Sequence, residues 1–283
     1  MIRKYILPLA LLASSANALD LRYGQGDFEW NVNVGDFAEQ SVTLDDSIIS
    51  ISEHHANFTD SPWYYFGNID IHSSDTLNKV TDVADNIMDS LPFSPEEIGP
   101  FPSSFEVSGV DFDIGIGYDI ARDGNGFLGI GFITGISTPF MEMHNYLEAY
   151  DYLTTLLEET STDVETYKYG ISVQGAYNLT EEFSIYGTGI YAGQTGTLQN
   201  DLISSEFDVT GTYSSLDIGV KFYPSGLVED ETNFYINAGY AYKHWEIDDM
   251  DVNLGGILST NLASVVNTDM TSDYIYIGIG FSF

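Results

Sequence analysis

Apolar and polar residues alternate strictly in several stretches of the chain. Between Val110 and Ile120, one face carries Val110, Phe112, Ile114, Ile116, Tyr118 and Ile120, and the other carries Asp111, Asp113, Gly115, Gly117 and Asp119. A period of two is the signature of a strand with one oily and one polar side. The same division sets Leu216, Ile218, Val220 and Phe222 against Ser215, Asp217, Gly219 and Lys221. It returns at the end of the chain, with Ile275, Ile277, Ile279, Phe281 and Phe283 opposite Tyr274, Tyr276, Gly278, Gly280 and Ser282. The pattern predicts strands near 26–36, 47–58, 63–73, 105–120, 126–138, 164–178, 183–197, 205–223, 233–247 and 272–283.

A soluble sandwich would alternate in the same way, so the connections have to discriminate. Every second one is short and rich in turn formers: Asn57 to Pro62, Ala121 to Asn125, Asn178 to Glu182 and Pro224 to Thr232. The others are longer and acidic. Short turns at one end and long loops at the other are expected of a transmembrane barrel. Phe58, Trp63, Tyr118, Phe127, Tyr177, Phe183, Phe222, Tyr223, Phe234, Phe281 and Phe283 gather at the short-turn ends, as a girdle at the head-group boundary would. A sheet inside a bilayer can leave no unpaired edge, so the strands must close on themselves. The expectation is an all-β, closed, antiparallel up-and-down barrel of about ten strands, with eight or twelve as alternatives.

Two long connections show helical spacing instead. Leu77, Val80, Ala84, Ile87 and Leu91 form one stripe, ended by Pro92, which predicts a helix near 75–91. Met143, Tyr146, Leu147, Tyr150, Leu153 and Leu157 form another, which predicts a helix near 140–159. Both follow strands that run toward the long-loop end, so the two helices are expected to cap that end.

The first residues point to export. Arg3 and Lys4 precede an apolar run from Tyr5 to Ala13, and Ala16-Asn17-Ala18 fits a signal-peptidase site. The expected organisation is a signal peptide over 1–18 and a single barrel domain over 19–283, in the bacterial outer membrane. There is no cysteine, hence no disulfide framework and no lipidation site. After Ala18, six basic side chains face all 43 acidic ones. Nucleic acid is excluded as a partner for such a surface. Loop solubility explains the acid most simply, and binding of divalent cations is the sharper alternative.

The terminal segment Tyr276-Ile277-Gly278-Ile279-Gly280-Phe281-Ser282-Phe283 resembles the C-terminal signal of outer-membrane proteins. That resemblance implies recognition of Tyr276, Gly278, Phe281 and Phe283 by the barrel-assembly machinery. The hairpin from Tyr177 to Gly187 is similar to hairpins of small barrels of the OmpA and OmpW kind. The likeness is one of pattern; it covers the signal segment and the last 120 or so residues, and it transfers no ligand residues.

Candidate chemistry is sparse. Lys168, Lys221 and Lys243 fall on the face opposite the lipid, together with Asp111, Asp113, Asp119 and Asp217, so the lumen is expected to hold opposite charges. Ion pairs plugging a narrow barrel are one outcome and a selective pore is the other. Asp70-Ile71-His72 and Asp111-Phe112-Asp113 resemble the Asp/His and Asp/Asp pairs of omptin proteases, in reversed order along the chain. Asp249, Asp251 and Asn253 begin like a calcium loop, but Gly255 comes one place late and Thr260 stands where Glu is needed. No cofactor is expected. The functional expectation is a structural or surface-interaction barrel without catalysis, among outer-membrane lipid and lipopolysaccharide. The alternatives are a porin-like conduit for small solutes or a hydrophobic ligand, gated by the helical cap, and more remotely an omptin-like protease.

Overall fold

The computed structural model describes residues 18–34, 38–58, 61–80, 102–145, 159–200, 205–224, 233–254, 258–261 and 266–282. Ten long strands form a closed antiparallel barrel: β1 (Ala18–Val34), β2 (Ala38–Asn57), β3 (Trp63–Ser74), β5 (Pro102–Arg122), β6 (Gly126–Asn145), β7 (Glu159–Asn178), β8 (Phe183–Asn200), β9 (Ser205–Phe222), β10 (Asn233–Leu254) and β12 (Val266–Ser282). Two short strands, β4 (Leu77–Val80) and β11 (Leu258–Asn261), extend the walls beside β5 and β10. Each long strand pairs with its neighbour in the chain, and β1 closes the ring on β12 from Ala18↔Ser282 to Val34↔Val266.

Alternation does what the hydrocarbon demands. Ile114, Ile116, Ile130, Phe132, Ile171, Val173, Ile218, Ile275 and Ile277 all point outward and are exposed, Phe132 by 72% and Ile275 by 70%. Their strand neighbours point into the lumen and are buried or half-buried. Such an apolar exterior around a polar interior is stable only with lipid outside.

The strands are longer than a bilayer needs. A strand of 20 residues, at about 3.4 Å per residue and a tilt of about 40°, rises roughly 50 Å, about twice the height of a barrel's apolar band. The wall therefore projects beyond the hydrocarbon at the long-loop end, and there its polarity inverts without a change of phase. On β1 the inward residues are Asp20 and Arg22 low in the wall but Phe28 and Trp30 high in it. On β12 the outward residues pass from Ile279, Ile277 and Ile275 to Asp273, Thr271 and Asp269. Phe28, Trp30, Val42, Leu44, Phe105, Val107, Val164, Phe207, Val209, Trp245, Ile247, Met250 and Met270 pack together as an apolar core inside this upper half.

That projection corrects several expectations. The first strand starts at Ala18 rather than near 26, because Leu21 and Tyr23 face outward while Asp20 and Arg22 face in. The connection expected between 36 and 47 is mostly strand: β2 begins at Ala38, and Val42 and Leu44 enter the upper core. The expected helices do not occupy the described parts of their segments. Leu77–Val80 is strand, paired with Pro102–Phe105. Strand β6 runs on to Asn145, and β7 begins at Glu159. Residues 81–91 and 146–158 lie outside the described residues. The physical reason is that an upper wall with an apolar lumen side and some apolar outer positions breaks strict alternation and mimics a helical stripe, while open ladder groups on β5 and β7 favour an extended partner.

Candidate functional site: the charged lumen

Register places the charged residues in rows. Asp70 of β3 stands opposite Asp111 of β5, which stands opposite Ser137 of β6. One step toward the short-turn end, Asp113 faces Gly135, and Gly135 faces Lys168 of β7. A Cβ at Gly135 would lie 2.2 Å from Asp113 Oδ1 and 3.0 Å from Lys168 Cε. Glycine there lets the lysine cross a whole strand to reach its acids.

Asp111 is the centre of the upper layer. Lys168 Nζ donates to Asp111 Oδ1 at 2.5 Å and lies 2.8 Å from Asp113 Oδ1. Lys243, from β10 on the far wall, bridges Asp70 and Asp111. Tyr213 donates to Asp111 Oδ2 at 3.2 Å, Ser137 donates to Oδ1, and Trp245 Nε1 donates to Ser137 Oγ at 2.9 Å. Tyr274 and Asn68 donate to Asp70 Oδ2 at 3.3 and 2.8 Å. The Lys168 ammonium sits 3.9 Å from the centre of the Tyr213 ring, close enough for a cation–π contact. All five charged groups are buried. The network braces β3, β5, β6 and β7 against β9, β10 and β12.

A second layer lies nearer the short turns. Arg22 Nη1 reaches Asp217 at 2.7 Å and Nη2 reaches Asp20 at 3.2 Å, with the guanidinium 4.5 Å from the Tyr276 ring centre. Tyr276 donates to Asp217 at 2.5 Å, and its oxygen is 2.6 Å from that of Tyr186. Lys221 donates to Tyr235 at 3.2 Å and is 3.7 Å from Asp20, which also accepts from Tyr235. Glu53 is buried at the same depth of the barrel.

Two carboxylates have imidazole partners of their own. His72 Nδ1 is 2.6 Å from Asp46, and His55 Nε2 is 2.8 Å from Asp119, which Arg122 also approaches at 3.3 Å. The His55 ring stacks on Phe127 with centroids 3.7 Å apart.

The structure thus puts Asp111, Asp113, Lys168 and Lys243 in one network and Asp217 and Lys221 in another, with Asp119 apart from both. Asp70 and Asp111 are neighbours, as the omptin comparison requires, but His72 turns to Asp46 and the lysines occupy the aspartates. Asp249, Asp251 and Asn253 lie within β10, past a bulge after Ile247, on backbone paired with β9 at the two aspartates and with β11 at Asn253 rather than in a loop. Their side chains are outside what the structure describes. Of the terminal motif, Tyr276 belongs to the lower layer, Gly278 leaves no room for a Cβ beside Asn237 and Leu21, and Phe281 lies outward against Phe234 at 5.4 Å. Phe283 lies outside the described residues.

Sequence reasoning missed Asp20, Arg22, Asp46 and Glu53. Arg22 was detectable, since Leu21 and Tyr23 flank it with outward apolar side chains. The upper apolar core was missed as well; its signal is a face that stays in phase while changing from charged to aromatic.

These features define a class: the closed, lumen-filled barrel of outer-membrane proteins. No protein-family model matches the chain, and no curated protein matches it in sequence. Among solved structures it is similar to the outer-membrane protease OmpT of Escherichia coli, with a TM-score of 0.55 and 12% identity over 94% of this chain and 96% of OmpT. Looser matches are the toluene transporter TodX of Pseudomonas putida (TM-score 0.33, 9% identity, 97% and 92% covered) and the attachment invasion locus protein Ail of Yersinia pestis (TM-score 0.30, 10% identity, 95% and 99% covered). The OmpT likeness is one of fold.

Proposed function

We propose that this protein is a non-conducting, non-catalytic barrel of the bacterial outer membrane, whose work is done by the wall and loops it raises above the lipid. One observation carries the proposal: the lumen is filled at three successive heights. Two layers of ion pairs and hydroxyls are followed by a close-packed apolar core around Phe28, Trp30 and Trp245. A solute would have to part the buried charge pairs around Asp111 and then open an apolar core.

The same packing supports a role without catalysis. Asp70, Asp111 and Asp113 are engaged by Lys168 and Lys243, so their charge is spent on holding the walls together rather than on activating water. In this orientation the short turns face the periplasm and the projecting half faces outward. Its outer face carries Asp27, Glu29, Asp45, Glu246, Asp269 and Asp273, a strongly acidic surface suited to cationic partners or to divalent cations shared with lipopolysaccharide.

The test is reconstitution of the full mature chain in planar bilayers. No stable conductance is expected above that of protein-free membranes. Reproducible ohmic steps from the unaltered protein would overturn the closed-lumen proposal and favour a conduit. Cleavage of a peptide library that disappears in Asp111→Ala would overturn the non-catalytic part alone.

A further inference from the structure

Among the described residues, the upper of the lumen's two charged layers does not balance. In the upper one, Asp70, Asp111 and Asp113 share Lys168 and Lys243. In the lower one, Asp20, Asp217 and Glu53 face Arg22 and Lys221. The upper layer holds one carboxylate more than its cations neutralise. Uncompensated charge is not left buried at such a depth; it finds a proton or a counter-ion.

A cavity of about 60 Å³ lies between the layers, with Asp70, Asp113, Asn68, Asp217 and Gln174 in its lining. A second, of about 260 Å³, lies beside it and reaches His55, Asn125 and Tyr223 at the short-turn end. Glu53, Gln174 and Thr188 line both cavities and stand at the boundary between them. Toward the other end, Trp245 and the apolar core close the path. The result is a blind well whose floor is acidic.

Among the polar atoms that the inner cavity's lining residues leave without a hydrogen bond are two deeply buried acceptors, Asp70 Oδ1 and Gln174 Oε1. Their residues are 1% and 2% exposed. Both atoms are acceptors, so the missing partner is a donor or a cation. About 60 Å³ is room for a few waters, or for a small cation with water beside it. Among the described residues no three acidic or imidazole groups converge to hold a metal, which disfavours a divalent ion. One or two carboxylate oxygens with neutral amide oxygens, beside Lys243 and Arg22, suit a hard ion of single charge.

We propose that the inner cavity is a binding site for a sodium-sized monovalent cation, bounded by Asp70, Asp113 and Gln174 and reached from the short-turn end past Gln174 and Thr188. The site does not depend on what the projecting half does at the cell surface.

The full mature chain, refolded in neutral detergent, is melted at fixed pH and ionic strength in sodium chloride and in N-methylglucamine chloride. Sodium at about tenfold its half-saturating concentration should raise the melting temperature by about 4 °C, and the rise should saturate. Gln174→Leu, verified as folded by its heat-modifiable migration, should lose that sodium-specific increment. Crystals of the unaltered chain soaked in thallium(I) should show an anomalous peak between Asp70 and Gln174, a measurement that does not depend on any variant. Equal melting in the two salts, or no peak at the cavity, overturns the proposal. So does stability that follows pH and ignores the cation, since protons would then be balancing the charge.

Discussion

Replacing Lys243 by methionine keeps the length of the side chain and removes its charge. The ammonium stands between Asp70 and Asp111, with side-chain exposures of 5%, 1% and 2% for the three groups. Asp111 would keep Lys168, Ser137 and Tyr213, whereas Asp70 would keep only neutral donors, Asn68, Tyr274 and Ser50. Nearly all of the loss therefore falls on Asp70. Breaking a buried pair from one side costs about 3–5 kcal/mol, and the value expected here is about 4 kcal/mol. Adding Asp70→Asn to Lys243→Met removes the stranded charge while preserving most of the local shape. The double variant should recover at least about 2 kcal/mol, a coupling typical of partners in one network. Urea unfolding in detergent, followed by the fluorescence of Trp245 two residues along on the same face, reads both quantities. A single-variant cost under about 1 kcal/mol, or two costs that simply add, would refute the account of Lys243 as the clamp between the walls.

Three further outcomes follow from the wall. Phe28→Ala should cost about 3–5 kcal/mol, as in a water-soluble core, while lipid-facing Ile277→Ala should cost about 1 kcal/mol or less because lipid refills the space; the same urea assay compares them. Asp27 lies opposite both Asp45 and Asp273, with all three pointing outward. Asp27→Asn should thus stabilise the barrel by about 0.2–1 kcal/mol at low ionic strength, and the gain should shrink as salt shortens the screening length. Gly135→Ala would push a methyl group into the Asp113–Lys168 contact and should cost about 1–3 kcal/mol, measured as a shift in the urea midpoint.

The membrane-embedded half was largely legible in the sequence, because hydrocarbon imposes one rule on every strand that crosses it. Ile114, Ile116, Ile218, Ile275 and Ile277 obey that rule, and the lumen positions of Asp111, Asp113, Lys168, Lys221 and Lys243 follow from it by parity. The projecting half was not legible in the same way. Water on its outer face reverses the preference, so Val42 and Leu44 lie inside on a stretch that reads as a polar loop, and Leu77–Val80 joins the wall on a stretch that reads as helix. Parity also places a side chain inside without naming its partner. That Lys168 crosses Gly135, that Lys243 reaches over the lumen, and that His72 turns to Asp46 depend on register and curvature, which alternation alone does not encode.

The inversion of polarity has an energetic consequence for how the two halves are held. Below the boundary the outward side chains gain nothing from folding against one another, because lipid is as apolar as they are; cohesion must come from ladder hydrogen bonds and the charged braces of the lumen. Above the boundary, water outside and Phe28, Trp30, Trp245 and Met270 inside restore the ordinary hydrophobic driving force. The Asp111 layer lies at the junction: outward neighbours there change from Ile114 and Phe112 to Ser108 and Glu106, while inward ones change from Asp113 and Asp111 to Val107 and Phe105. A lumen charged where the bilayer is oily, and oily where the surroundings are aqueous, leaves no continuous polar path from one end of the barrel to the other. Chaotropes should therefore loosen the upper half first, since urea weakens apolar burial directly. Trp30, inside the upper core, should respond at lower urea than Trp63, which faces outward at the short-turn end. Coincident transitions at the two tryptophans would mean that the halves unfold as one unit and that the division drawn here is structural but not energetic.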